Sequence, residues 1–434
     1  MKNLFRISAV ALCAAAVLAA CTDDEGDSPR KLTVAPAGDV AFAACRPEPV
    51  AFEVNASSDW TVGFDTDGEA GWLRIERTAS GFVLSAEPNG EPEPRPAVGI
   101  TVSATGCEPV RITVQQRGLE ILACGYVFME DPAGKESAVA AWWRNGRQTV
   151  LTDNSGSPAW ETHANGIYAE GERVYIAGYR SVLYLTTGVY WLDGRMGELF
   201  TEFGEYGSLY LSDIRIKDGS VYLAGRDGVN GNTLAQYWVD GIPTALSDEG
   251  LVSDASDLFF DGETLYVSGR NGSTPGYWKD GAFVDLSFGG DFGTYIVDLE
   301  KVGDDLYAGG MYTDVDKYVP VCWTNGTARP VPVEESSNVY GMSVADDGTV
   351  YLAGSQGLGL ERAAAYWKGD ERVLLTGKVN GCLTRVVEVG GNVWAVGIEE
   401  NAAGNTVVRC WKNGEPTDWT DGESSAYVQD VLIR

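Results

Sequence analysis

The sequence predicts an all-β chain: a small two-sheet sandwich followed by a closed ring of seven four-stranded blades. Three observations predict it. The first is a Trp-centred phrase that recurs seven times. Its copies are Trp142-Trp143-Arg144-Asn145-Gly146, Tyr190-Trp191-Leu192-Asp193-Gly194, Tyr237-Trp238-Val239-Asp240-Gly241, Tyr277-Trp278-Lys279-Asp280-Gly281, Cys322-Trp323-Thr324-Asn325-Gly326, Tyr366-Trp367-Lys368-Gly369-Asp370 and Cys410-Trp411-Lys412-Asn413-Gly414. The common Trp returns after 48, 47, 40, 45, 44 and 44 residues, the period of a propeller or solenoid array. The second is a strand of the type Val221-Tyr222-Leu223-Ala224-Gly225, also present in seven copies. The third is a change to strict apolar alternation before residue 118, the pattern of half-buried strands.

Composition narrows the function classes. The 434 residues carry 32 basic and 62 acidic side chains, a net charge of −30. Such a surface repels nucleic acid and anionic lipid, both of which are bound through Lys and Arg. His163 is the one histidine, so neither a His-ligated metal cluster nor a second catalytic histidine can be built. No HExxH or CxxC motif occurs.

Residues 1–20 have the pattern of a secretory signal, with Lys2 and Arg6 followed by an apolar run from Ile7 to Val17. That run is too short to span a bilayer. It leads into Leu18-Ala19-Ala20-Cys21, which resembles the lipobox of bacterial lipoproteins. The resemblance implies cleavage before Cys21 and acylation of that cysteine, with multiple acyl chains giving a stable anchor. Residues 21–31 form an acidic, unpatterned tether that cannot fold alone. Acidic residues directly after the lipidated cysteine resemble the export signal of surface lipoproteins in the Bacteroidota. Outer-membrane, cell-surface placement is the expectation, with the membrane contacted through the lipid alone.

Residues 32–118 hold the alternating runs Val50-Ala51-Phe52-Glu53-Val54, Phe82-Val83-Leu84-Ser85-Ala86, Ile100-Thr101-Val102-Ser103 and Val110-Arg111-Ile112-Thr113-Val114, separated by Gly, Pro and Asn. This predicts a small Ig-like β-sandwich. The stretches Asn55 to Val62, Gly71-Trp72-Leu73-Arg74-Ile75 and Ile112 to Gln116 resemble the BACON domain, whose name implies carbohydrate binding. Trp60 and Trp72 fall inside the strand pattern and are expected to pack the core. Cys45 and Cys107 flank the first and last strands, and an exported compartment would allow them to pair.

Residues 119–434 are the seven-bladed β-propeller. One unit reads Ser212 to Ile216, a turn at Asp218-Gly219, Val221 to Gly225, Ala235 to Trp238, a turn at Asp240-Gly241, then Pro243 to Leu246. Asp-Gly and Asn-Gly suit type I′ hairpins, which need positive φ at both central residues. The repeat region opens on a second strand and closes on a lone first strand at Asp430 to Ile433, so one blade is completed from both ends and no edge is left open. The seven Trp residues are expected between blades, and Cys322 and Cys410 as buried thiols. Neither WD40 nor kelch motifs, nor a sialidase-type Asp-box, are present.

Strand order puts tight turns on one face and long loops on the other, where a scaffold carries function. Asp213, Asp257, Asp298 and Asp430 open the innermost strand in four copies, with Gly166, Met342 and Arg385 in the others. Two readings follow: each acid caps its own loop, or together they hold a cation such as calcium. No cofactor is otherwise implied. Trp160, Phe203, Tyr206 and Phe292 stand out among the loop aromatics as contacts for a ligand. The functional expectation is a non-catalytic, surface-anchored lipoprotein binding a polysaccharide or other glycan. A scaffold for a cell-surface protein partner comes second. A polysaccharide lyase or hydrolase using Asp213 and Asp257 from adjacent blades comes third.

Overall fold

The computed structural model describes residues 31–65, 71–182, 185–203, 207–288 and 293–434, together with the short strand Ala19–Ala20. Every regular element among them is a β-strand, so the chain is all-β. No helix among the described residues is long and apolar enough to cross a membrane. The chain divides into two compact units, one built mainly from the first 120 residues and one from Ile121–Glu388 with Val393–Leu432.

The first unit contains two sheets. Lys31–Ala35, Val50–Ala56, Gly81–Ala86 and Leu73–Arg77 lie side by side in one, with Ala19–Ala20 on its edge; Val40–Phe42, Val110–Gln116, Arg95–Ala104 and Trp60–Phe64 form the other. Alternate residues of both sheets, among them Leu32, Val34, Phe52, Phe82, Ile100, Val102 and Ile112, meet in one core. That is what period-two alternation demands of strands with one buried face. Trp60 and Trp72 are half-buried against this core, and Arg77 lies over the Trp60 ring at 4.1 Å. Both indoles are therefore packing residues, as their place in the pattern suggests.

Among the described residues the second unit contains seven antiparallel sets of four strands; the second and third sets are joined into one eight-stranded sheet, and the other five are separate sheets. Their innermost strands are Ala426–Ile433 in the first sheet, then Thr162–Glu170, Gly207–Lys217, Asp254–Asp261, Thr294–Val302, Ser337–Val344 and Cys382–Val389 in the second to seventh. In the first sheet Ala426–Ile433 pairs with Ile121–Glu130, which pairs in turn with Glu136–Arg144 and Arg147–Val150. The two extremes of the repeat region thus share one sheet. The second and third sets are joined through a parallel bridge, Thr186 to Ser208.

Local chemistry explains seven of the hairpins. Asn145, Asp193, Asp218, Asp240, Asp280, Asn325 and Asn413 all adopt positive φ and are followed by Gly at positive φ, the conformation that Asn-Gly and Asp-Gly provide at low steric cost. Packing then joins the sheets. The seven recurring Trp side chains are at most 3 % exposed. Trp191 packs with Leu122 and Ala140 of the first sheet, Trp238 with Tyr175 and Ala177 of the second, and Trp367 with Tyr307 and Cys322 of the fifth. One indole per repeat fills the gap to the preceding sheet. Cys322 and Cys410 are buried thiols beside this layer.

Candidate functional site

The innermost strands converge on a single cavity of about 120 Å³, and all seven contribute to its lining. The reason is a repeated irregularity. The ladder steps out of register between Ala164 and Gly166, Leu211 and Asp213, Ile296 and Asp298, and Val339 and Gly341. Such a bulge leaves one residue unpaired and re-aims its neighbours. The cavity is lined by Asn165, Ser212 and Asp213, Ser256 and Asp257, Val297 and Asp298, Tyr340 and Gly341, Thr384 and Arg385, and Gln429 and Asp430, with Asn165, Ser212, Val297 and Tyr340 the unpaired bulge residues of their strands.

This corrects one sequence assignment. Gly341, not Met342, occupies the position of the aspartates, because it pairs with Ala353 as Asp213 pairs with Ala224. Counting back from the turn glycine gives Met342. However, the hairpin after Val344 is longer than the two-residue turn after Lys217, which displaces the count by one.

The acids are not an open rim. Asp213 is 3 % exposed and bonds Arg215 at 2.5 Å, while the other arm of Arg215 reaches Asp257 at 3.2 Å. Asp298, also buried, is ion-paired with Arg385. Nor do the acids simply cap their own loops. Asp213 accepts the Leu258 amide at 3.0 Å, Asp298 the Met342 amide at 3.0 Å and Asp430 the Ile167 amide at 2.9 Å, each from the following sheet. Asp430 also accepts the amide of Val431, its own neighbour. Asp213, Asp298 and Asp430 clasp adjacent sheets, and the carboxylates pair with two half-buried guanidinium groups.

Burial sets the protonation pattern. It pushes Asp213 well above the usual carboxylate range, opposed by Arg215 and reinforced by Asp257, to which Asp213 is hydrogen-bonded. It raises Asp298 to about 7, against Arg385 and with help from Asp257. Burial also works against the charge on Arg215, but Asp213, Asp257 and Asp430 together outweigh it. Asp213 and Asp298 are thus the two carboxyls that burial pushes toward the protonated form.

Two features of the site escaped the sequence. Arg215 lies two residues beyond Asp213 and has no counterpart in the other copies, so no repeat position announces it as a counter-ion. The other is a row of rings at the strand ends. Tyr427 stacks on Tyr126 at 5.0 Å, Tyr126 meets His163 edge-on at 4.2 Å, His163 stacks on Tyr179 at 4.7 Å, and Tyr179 meets Tyr210 at 4.8 Å. Arg226 covers Tyr210 at 4.6 Å. His163 is held below its ordinary pKa by burial, with Glu161 opposing, so it is a stacked neutral ring. The signal was present: Tyr126 and Tyr179 directly follow the last glycine of the recurring Val-Tyr-Leu-Ala-Gly type segment.

The loop aromatics are divided. Phe203 is 38 % exposed, and Trp160 is half-buried and bridged to Val139. Tyr206, Phe292 and the expected lipidation site Cys21 lie outside the described residues. Among the described residues, no group of three or more His, Cys, Asp or Glu side chains is arranged to hold a metal ion.

No family model matches the chain, and no curated protein matches it. Solved structures do. A Mycobacterium tuberculosis puromycin-hydrolyzing peptidase matches at 12 % identity and TM-score 0.41, over 80 % of this chain and 53 % of that one. This chain thus spans about half the length of that peptidase. The β-propeller domain of the trilobed protease from Pyrococcus furiosus matches at 13 % identity and TM-score 0.29, over 89 % and 95 %. A Bombyx mori GH32 β-fructofuranosidase matches at 11 % identity and TM-score 0.25, over 80 % and 89 %. At these identities and TM-scores, no activity passes through the likenesses to this chain. The expectation of a non-catalytic glycan- or protein-binding lipoprotein is corrected to this extent: it finds no support among the matched structures, most of which are catalytic proteins. The chain is an all-β protein built of repeated antiparallel sheets.

Proposed function

We propose that residues 119–434 form a closed seven-bladed β-propeller whose central cavity is an acid–base hydrolytic centre acting on polysaccharide. Ring closure is supported by the sheet shared between Ile121–Glu130 and Ala426–Ile433, and by the ties from Asp430 to Ile167 and from Arg385 to the Val431 carbonyl. The rest of the chain fits a surface enzyme. Residues 1–20 are its lipoprotein signal, Cys21 its outer-membrane anchor, residues 21–31 its tether and residues 32–118 a BACON-like, Ig-like sandwich. Membrane contact is through the lipid alone, and nucleic acid is not a partner.

The hydrolytic reading is carried by the convergence of four carboxyls on one polar cavity, two of which, Asp213 and Asp298, burial pushes toward the protonated form. Glycosidic bonds are cleaved by paired carboxyl groups, one protonated and one not, without a serine nucleophile or a metal. Asp298, poised near neutral pH, protonates the leaving oxygen. Asp257, from the adjacent strand and with its side chain 19 % exposed, acts as the nucleophile or base. Arg385 and Arg215 hold the two carboxyls in place.

The test is release of reducing ends from a panel of bacterial, plant and host polysaccharides by the chain from residue 22 onward. General acid–base roles predict that Asp298→Asn and Asp257→Asn each lose about 100-fold or more in kcat while circular dichroism is unchanged. Absence of product from every polymer by folded protein would sink the reading, as would full activity in both variants.

A further inference from the structure

The proposed hydrolytic centre makes no use of another buried carboxyl group, Asp227. It lies in the third sheet on the strand Ser220–Val229, opposite Leu234 of Asn232–Val239; Gln236 stands opposite Gly225. Asp227 and Gln236 are therefore diagonal neighbours on one face of the sheet. They are 1 % and 4 % exposed. One oxygen of Asp227 accepts the Glu202 amide at 3.1 Å. The other, Oδ1, and the Oε1 of Gln236 are both buried without a hydrogen-bond partner. Among the described residues Asp227 has no ion pair: Arg226, next along the strand, projects to the opposite face and covers Tyr210. A fully buried carboxylate with no counter-charge, beside a second unpartnered oxygen, is an unbalanced arrangement.

We propose that a hard metal cation, with calcium as the probe, binds between Asp227 Oδ1 and Gln236 Oε1. Both ligands are oxygens, as such ions require, and each should lie about 2.4 Å from the metal. Diagonal Cβ atoms sit about 7–8 Å apart, a span that an aspartate and a glutamine close around a single ion. Backbone carbonyls and water complete the shell. A water molecule alone bridges two acceptors but leaves the charge standing. The bound ion also fixes the turn at Thr201–Phe203, because Asp227 holds the Glu202 amide with its second oxygen.

The test uses the whole mature chain, stripped with chelator and then equilibrated with calcium and desalted. A surface of charge −30 gathers calcium loosely, so the readout is the difference between variants, not the total. Metal analysis should find about one calcium per chain more in the native protein than in Asp227→Asn or Gln236→Leu. A control at the exposed residue Asp248, Asp248→Asn, should keep it. The calcium-dependent rise in Tm at fixed ionic strength should likewise vanish only in the Asp227 and Gln236 variants. Equal calcium content and an equal Tm rise in all four proteins would overturn the site. So would no calcium effect together with a more stable Asp227→Asn, which would mean that a proton on Asp227 bonded to Gln236 replaces the metal. None of these readouts depends on hydrolysis, so they stand or fall apart from the hydrolytic centre.

Discussion

Asp298 shows how a single side chain serves structure and protonation together. Its carboxyl clasps the Met342 amide, pairs with Arg385 and titrates near 7 because burial outweighs that pairing. The folded state therefore binds this proton more tightly than the unfolded chain, where aspartate titrates near 3.8. Its contribution to stability is greatest below pH 3.8 and falls as pH rises from there to about 7. Urea midpoints measured across that window should decline with pH in the native protein. Asp298→Asn, which cannot ionise, should flatten the decline, and an unchanged slope would refute the raised pKa. At this scale legibility varied. Trp143 to Trp411 could be placed from the sequence because each recurs in the same phrase seven times. Arg215 occurs once, and a solitary residue gives periodicity nothing to work on.

The strand Ala426–Ile433 carries more than its length suggests. It pairs with Ile121–Glu130, supplies the Asp430 bond to Ile167 and brings Tyr427 onto Tyr126. Deleting residues 426–434 would leave Ile121–Glu130 as an exposed apolar edge, the kind that pairs with other chains. We expect the truncated protein to melt at least about 10 °C lower and to scatter light on warming, given that several contacts are lost together. A synthetic peptide of residues 426–434 added in excess should restore the midpoint. Failure of that rescue, with the truncated chain otherwise folded, would show that the strand is dispensable. The phase of the repeats made this strand readable, since Asp430 to Ile433 match the start of a unit with no further copy in the sequence. The bulges were not readable, for no residue type marks them, and one of them hid behind the longer hairpin after Val344.

Charge governs the molecule as a whole. With 62 acidic against 32 basic side chains, the chain repels itself, and exposed pairs such as Arg74 with Glu87 offset little of this. Screening shortens from about 30 Å at 0.01 M salt to about 3 Å at 1 M. Raising sodium chloride between these limits should therefore raise Tm steadily. A fall would mean that the central ion pairs, not surface repulsion, control stability. The count of repeats could be read because packing one indole per sheet is the same physical problem solved seven times. The chemistry of the cavity could not, because it depends on which copies depart from the common pattern.

Glu120 and Arg434 exchange backbone hydrogen bonds, yet 314 residues separate them. At about 5–20 residues per second, the ribosome adds the later of these neighbours roughly 15–60 s after the earlier. Throughout that interval Ile121–Glu130 has an apolar face and no inner strand to cover it. Of the sheets in the second unit, the first begun is the last finished, so Ile121–Glu130 stays uncovered until Ala426–Ile433 has been made.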